Sequence, residues 1–362
     1  LWLGSYESDY PRNRVLIDGL VELGVEVVEC HAPIWERERH KAGAFLRPAR
    51  LAATAGALAT SWVRLGRAQA RLGPFDAVVV GYPSQPDVLF GWLTARRRRS
   101  KLVVDGMISL SDAFSSRGLG AAAARALALV DRLTLGRADL VIADTDANGR
   151  YLGSSLGLRP SRIATVPVGA DPEVFAPTPP VSGVGHALFV GKLAPLHGVD
   201  VVLKAARMEG VPPVRIIGSG QLDDWLSREL ERDPPPQISH AQWVPFGRLG
   251  DEIRAASICL GVVSASERVG RVVPNKVWQS MAVGRPIVTA DGPAPREVLV
   301  DGRDALLVPP GDPASLAQAL RRLADDPDLR AHLAAGARRR YLELGSPPRV
   351  AESFLGGIER AC

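Results

Sequence analysis

At 362 residues, with 46% apolar and 23% charged residues, the chain has the composition of a folded globular protein and the length of two domains, which excludes wholesale disorder. No apolar run reaches the roughly 18–20 residues that cross a bilayer, and the scattered cysteines and histidines lack the spacing of a disulfide framework or a structural metal site, which fits a reducing, cytoplasmic setting. The net charge of +5 belongs to the first half, where residues 1–170 hold 22 Lys and Arg against 16 Asp and Glu.

Leu1-Trp2-Leu3-Gly4 reads as a first strand; it has neither the basic leader nor the cleavage site of a signal peptide. Short apolar runs at 25–29, 77–80, 102–104, 140–143 and 163–167 then alternate with helical stretches at 12–23, 44–72, 85–98, 119–137 and 147–156. Such alternation predicts a parallel sheet covered on both faces. The run Arg96-Arg97-Arg98-Arg99, with Lys101 after it, is either a solvated helix end or a surface for anionic lipid or an anionic acceptor. Nucleic acid is not expected, because no aromatic residues interleave with the basic ones.

The proline-rich stretch 172–180 can neither continue a helix nor supply a central strand, and reads as a linker. Beyond it the alternation restarts, with strands at 187–190, 214–217, 258–263, 286–289 and 305–308 and helices at 199–208, 221–231, 248–256 and 275–283. Three closing helices, 313–324, 327–343 and 348–360, start at or near a proline. The pattern predicts an α/β fold of two doubly wound, Rossmann-like domains, 1–170 and 171–345, with 346–362 as a last helix packing back on the first. Ligands in such sheets bind beyond the carboxyl ends of the strands, so two domains facing across a cleft would place the site there.

Four loops of the second half have the chemistry of a diphosphate site. Gly191 and Lys192 end a strand and lead through Pro195-Leu196-His197-Gly198 to a helix. Glycine lets backbone approach a ligand, a helix N-terminus attracts anions, and Lys192 adds a full charge. Gly218 and Gly220 form a second strand-to-helix turn, and Trp243 with Val244 could flank a base, a core tryptophan being the alternative. The fourth loop runs from Ser264 through Arg271-Val272-Val273 to a helix opened by Pro274-Asn275-Lys276 and closed by Gly284.

These loops resemble those of the family 4 retaining glycosyltransferases. Val166-Pro167-Val168-Gly169-Ala170-Asp171 with Phe175 resembles the PxGVDxxxF element of that family. Gly191-Lys192-Leu193 followed by His197-Gly198-Val199-Asp200 resembles its GRLxxxKGxD loop, and Pro274 through Pro286 its PNKxxExMAxGxP helix. Arg296-Glu297-Val298 and Leu307-Val308-Pro309-Pro310-Gly311-Asp312 follow in the expected order. The family usually has arginine where Lys192 stands and lysine where His197 stands, and its two glutamates eight residues apart fall on Arg271 and Gln279. Gln279 keeps the ability to bond a ribose hydroxyl; Arg271 cannot accept a hydrogen bond.

The resemblance implies the GT-B fold and transfer of a sugar, with retention, from a nucleotide-diphosphate sugar to an acceptor hydroxyl in bacterial glycan or glycosylated-metabolite synthesis. No obligatory cofactor or metal is implied. Lys192 would neutralise the leaving diphosphate, with Asp105 and Asp112 as candidate catalytic carboxylates that could equally be helix caps. Donor contacts would come from Gly191, His197, Gly218, Gly220, Trp243, Val244, Arg271, Val272, Val273, Asn275, Lys276 and Gln279. The acceptor, a glycan, lipid-linked or small-molecule hydroxyl, would meet Gly4, Ser5, Arg12 and Asn13. Weak association with an anionic membrane, peripheral at the inner face of the plasma membrane, is a further expectation from the arginine run. The rival readings are a nucleotide-sugar-binding protein without chemistry and a GT-B epimerase.

Overall fold

The computed structural model describes residues 1–8, 10–34, 48–115, 121–179, 183–233 and 237–361. Its chain divides into two compact units, Leu1–Val166 with Ala351–Cys362, and Pro167–Val350. The first holds β1 (Trp2–Gly4), β2 (Glu29–His31), β3 (Ala77–Val80), β4 (Lys101–Asp105), β5 (Leu140–Ala143) and β6 (Ile163–Thr165), all parallel, in the order β2-β1-β3-β4-β5-β6. Strands buried on both faces need apolar residues at consecutive positions, and Val78, Val79 and Val80 or Leu140 through Ala143 supply them.

The helices of this unit are α1 (Pro11–Glu22), α2 (Pro48–Gln69), α3 (Val88–Arg98), α4 (Leu110–Ser115), α5 (Ala121–Leu135) and α6 (Asp146–Leu156). Right-handed crossovers carry α2, α3 and α5 over one face of the sheet. Trp62 of α2 stacks on Phe90 of α3 at 5.9 Å, Gln69 donates to Thr94 across the same pair, and Arg137, just past α5, lies over Trp92 of α3. The start of the long helix expected from residue 44 lies outside the described residues.

The second unit carries β7 (Ala187–Val190), β8 (Val214–Ile217), β9 (Ile238–Ala241), β10 (Ile258–Leu260), β11 (Ile287–Ala290) and β12 (Leu306–Val308), again all parallel, ordered β12-β11-β10-β7-β8-β9. Its helices are α7 (Val199–Ala206), α8 (Asp223–Arg232), α9 (Phe246–Ala255), α10 (Asn275–Val283), α11 (Pro293–Val298), α12 (Pro313–Asp325) and α13 (Pro327–Leu344); α14 (Pro347–Ala361) runs on into the first unit, where Phe354 meets Trp2 at 6.4 Å.

Three local readings differ. The apolar run at 25–29 mostly serves to leave α1, because Val25 N–H bonds back to Leu20 and the ladder with β1 starts at Glu29. Edge strand β9, Ile-Ser-His-Ala, carries too few apolar residues to show a pattern. The proline-rich stretch is no free linker: Phe175 is fully buried edge-on to Phe246, and Arg285 and Arg254 bond the Thr178 and Val174 carbonyls.

Candidate functional site

In the second sheet the chain winds outward from β7 through β8 to β9, then returns to place β10 on the other side of β7. Ligands collect at the carboxyl ends of strands where the winding reverses. The segments there are the loop after β7, which carries Lys192, and the loop after β10, which leads to Lys276 in the first turn of α10.

They are stitched together by backbone. The Ser264 hydroxyl donates to the Leu196 carbonyl at 2.6 Å, and a side-chain carbon on Gly198, which has φ +77°, would come 2.6 Å from Ser264 N. A 3-10 turn, Pro195–His197, leads to Gly198 at the start of α7, and another, Glu267–Arg271, leads to α10. Pro274 is the N-cap of α10 without a side-chain capping bond, so the first turn of that helix keeps the partial positive charge of its backbone.

Around Gly191, whose φ is +146°, the side chains converge. A carbon added there would meet His197 Nδ1 at 3.4 Å and Lys276 Nζ at 3.5 Å. Lys276 is 7% exposed, its ammonium 3.7 Å from the centre of the Phe189 ring. Burial lowers it to about 7 from its ordinary 10.5. His197 is pushed down to about 3, first by burial and then by Lys276, so it is neutral at any working pH. Lys192 is exposed beside them, while Arg271, Val272 and Asn275 are half-buried and Val273 and Gln279 buried.

The two glycines of the second turn have a prior engagement. A side-chain carbon on Gly218, with φ +147°, would fall 1.8 Å from the Gly191 carbonyl, and one on Gly220 would fall 2.8 Å from that of Leu193. Their absent side chains let the β7 and β8 loops touch, which shapes the site whether or not a ligand touches them. Trp243 is 71% exposed, so the core alternative falls; Val244 beside it is half-buried.

In the first unit the expected acceptor residues turn inward. Arg12 and Asn13 are fully buried. Arg12 donates to Asp105 at 2.8 Å and to the Val166 carbonyl at 2.5 Å, while Asn13 bonds both the N–H and the carbonyl of Tyr82. Both hold loops in place and offer an acceptor no surface. Asp105 is 2% exposed, its second oxygen taken by Met107 N–H, so it too is a positioning residue instead of a catalytic one. Asp112 is half-buried, its N–H on the Ser109 hydroxyl.

Gly4, with φ +136°, leaves room for Asp87, whose Oδ2 accepts from Ser5 N–H and Oγ at 2.6 Å each; Oδ1 accepts from Trp62 Nε1 at 2.7 Å. Sequence reasoning missed Asp87, and also Asp144, which burial raises to about 6 beside Asn148.

A model of the glycosyl transferase 4-like domain matches residues 11–169, and one of the group 1 glycosyl transferases matches 185–326. Among curated proteins, a D-inositol 3-phosphate glycosyltransferase of Kineococcus radiotolerans is 32% identical over 70% of this chain and 65% of its own length. One from Nocardiopsis dassonvillei is 30% identical over 62% of this chain and 56% of its own. The chain therefore spans about three-fifths of these relatives. Anabaena HepE, solved in complex with UDP, superposes with a TM-score of 0.67 over 83% of this chain and 82% of that one at 16% identity. Sucrose-phosphate synthase from Thermosynechococcus elongatus gives 0.68 over 84% and 78% at 18% identity. At those identities the likeness establishes the fold. Matched in order through both units, the chain belongs to the family 4 glycosyltransferases and has their GT-B fold.

Proposed function

We propose that the protein is a retaining glycosyltransferase that takes a sugar from a nucleotide-diphosphate donor and gives it to an acceptor hydroxyl. The observation that carries this reading is the convergence of Gly191, Lys192, Lys276 and the start of α10 at the turning point of the second sheet. Catalysis there is electrostatic: Lys192, Lys276 and the helix end neutralise the charge that grows on the departing diphosphate. The acceptor oxygen bonds to the anomeric carbon on the face the diphosphate leaves, and a phosphate oxygen takes the hydroxyl's proton. Arg271, Val272, Val273, Asn275 and Gln279 line the donor's path. Gly4 and Ser5 are buried, with the N–H and hydroxyl of Ser5 spent on Asp87, so of the residues expected on the acceptor side or as carboxylates only Asp112 keeps an accessible side chain.

HepE binds UDP and the curated relatives are named for an inositol phosphate, which makes uridine donors and small polyol phosphates the first to try. Thermal shifts with UDP, GDP, TDP and ADP and their sugars, followed by product detection, test the reading. Arg271, where a donor-binding carboxylate is expected, favours a binding protein without chemistry; binding across the panel with no turnover would establish that instead. No set of His, Cys, Asp or Glu among the described residues is arranged to hold a metal ion. Turnover is expected to survive excess chelator, and its complete loss with recovery on magnesium or manganese would count against cation-only neutralisation.

We also propose that the first unit meets an anionic membrane through its outer helical layer. Neither α2 nor α3 contains an acidic residue, and the one on α5, Asp131, is fully buried. Leu89, Leu93, Leu129 and Leu133 stand exposed among Arg64, Arg67, Arg96, Arg97, Arg125 and Arg132. Arg98 is not part of this surface, since its guanidinium bonds the carbonyls of Leu72, Gly73 and Gln69. Each basic residue near the surface contributes about 1 kcal/mol of attraction. Replacing Arg96, Arg97 and Arg99 by Gln is expected to release the protein from anionic vesicles at low salt with activity on a soluble acceptor unchanged. Indifference of the unmodified protein to such vesicles would remove the membrane and favour a small soluble acceptor.

A further inference from the structure

Lys276 is placed at odds with ordinary protein chemistry. Its ammonium nitrogen is buried with no hydrogen-bond acceptor among the described residues, and His197 Nδ1, on the same side of Gly191, has none either. The groups around it do not supply one. Phe189 of β7 offers a ring face. Of the groups that line the same pocket as the Lys276 side chain, Ile253 of α9 is apolar, the Cys259 thiol of β10 is held neutral by burial, up to about 11, and the Ser280 hydroxyl is turned to the Lys276 carbonyl at 2.7 Å. His197 is uncharged, and the charged groups that act on it besides Lys276, namely Lys192 and Arg268, are cations. One ring face replaces only part of a lost water shell. Donor diphosphate oxygens would supply what is missing, since they are acceptors that carry negative charge.

We propose that Lys276 is a donor-sensing cation: it sits uncharged in the empty site at mildly alkaline pH and takes a proton from solvent as the diphosphate of the nucleotide sugar seats against it. This rests on the nucleotide-sugar reading of the same site. The bond formed is N–H at Nζ, the proton comes from water or buffer, and the ammonium then faces the phosphate oxygens. The consequence for the empty protein follows from linkage. Because the folded group lies near 7 and the unfolded one near 10.5, the unfolded chain holds more protons between those values, so stability rises with pH through that window. Below about pH 7 the buried charge weakens the fold in full.

Lys276→Met, which keeps the length of the side chain and removes its charge, separates this from a structural role. The donor-free variant is expected to melt above wild type at pH 6, with the gap narrowing at pH 9, while losing at least about 30-fold in affinity for UDP-glucose. A nucleotide sugar has no phosphate ionisation near neutrality, so protons exchanged on binding belong to the protein. Calorimetry of wild type with UDP-glucose, GDP-mannose and ADP-glucose, in buffers of unlike ionisation enthalpy, should show uptake of about one proton per donor at pH 8.5 and almost none at pH 6. A Met variant that melts below wild type at pH 6 overturns the inference alone, as does tight donor binding without proton uptake. Failure of wild type to bind any of the three removes the donor reading and this inference together.

Discussion

Lys192→Ala should lower turnover by about 100-fold, the usual cost of removing one charge partner from a leaving group. Lys192 directly follows Gly191 at the carboxyl end of β7 and is solvent-exposed. Its removal opens no cavity, so the melting temperature should stay within a few degrees of wild type. That separation distinguishes it from Lys276, whose replacement moves stability and binding in opposite directions. The measurement is steady-state turnover with the best donor from the thermal-shift panel, on protein whose melting curve is intact. Turnover within a few-fold of wild type would take Lys192 out of the site.

Asp105→Asn is the substitution with the largest expected effect on the fold. Arg12 and Asp105 are 0% and 2% exposed and 2.8 Å apart. Arg12 also reaches the Val166 carbonyl, so one guanidinium ties α1 to the ends of β4 and β6. Neutralising the carboxylate takes away the hydrogen-bonded partner of Arg12 and leaves only the nearby Asp144 to balance the buried cation, at about 3 kcal/mol. Urea unfolding of the whole chain would read this as an early transition of the first unit. Replacing both partners together, Arg12→Met with Asp105→Leu, should recover much of the loss. A single substitution within about 1 kcal/mol of wild type would mean that water reaches the pair.

The second unit was the more legible half, for physical reasons. Its strands are runs such as Ala187–Val190, apolar throughout, and Ile287–Ala290, apolar but for Thr289, whose hydroxyl bonds the Val262 carbonyl. Proline and glycine mark both ends of α10, which is why Lys276 could be named from sequence. What sequence could not show is that Lys276 is buried over Phe189, because those residues are 87 positions apart. Arg12 and Asn13 misled in the opposite sense. As polar residues just after Pro11 they are expected to meet the acceptor, and only the approach of β4 and the Tyr82 loop buries them. Asp87 gave no signal beyond that of a helix cap; it stands at the N-cap of α3 but makes no capping bond, having turned toward Ser5 and Trp62.

The return of α14 to the first unit bears on how the protein is made. Ala351 and Phe354 are buried, and Gly357 sits so close that a carbon on it would come 2.7 Å from Ala164 Cβ. The second unit is continuous from Pro167 to Val350, so a ribosome delivers all of it before the segment that finishes the first. Translation order and completion order are thus inverted: the domain begun first closes last, with Trp2 waiting for a partner more than 350 positions downstream. For the same reason a chimera that borrows the first unit from a relative must be cut twice, since an exchange at Val166 alone would pair one protein's sheet with another's closing helix.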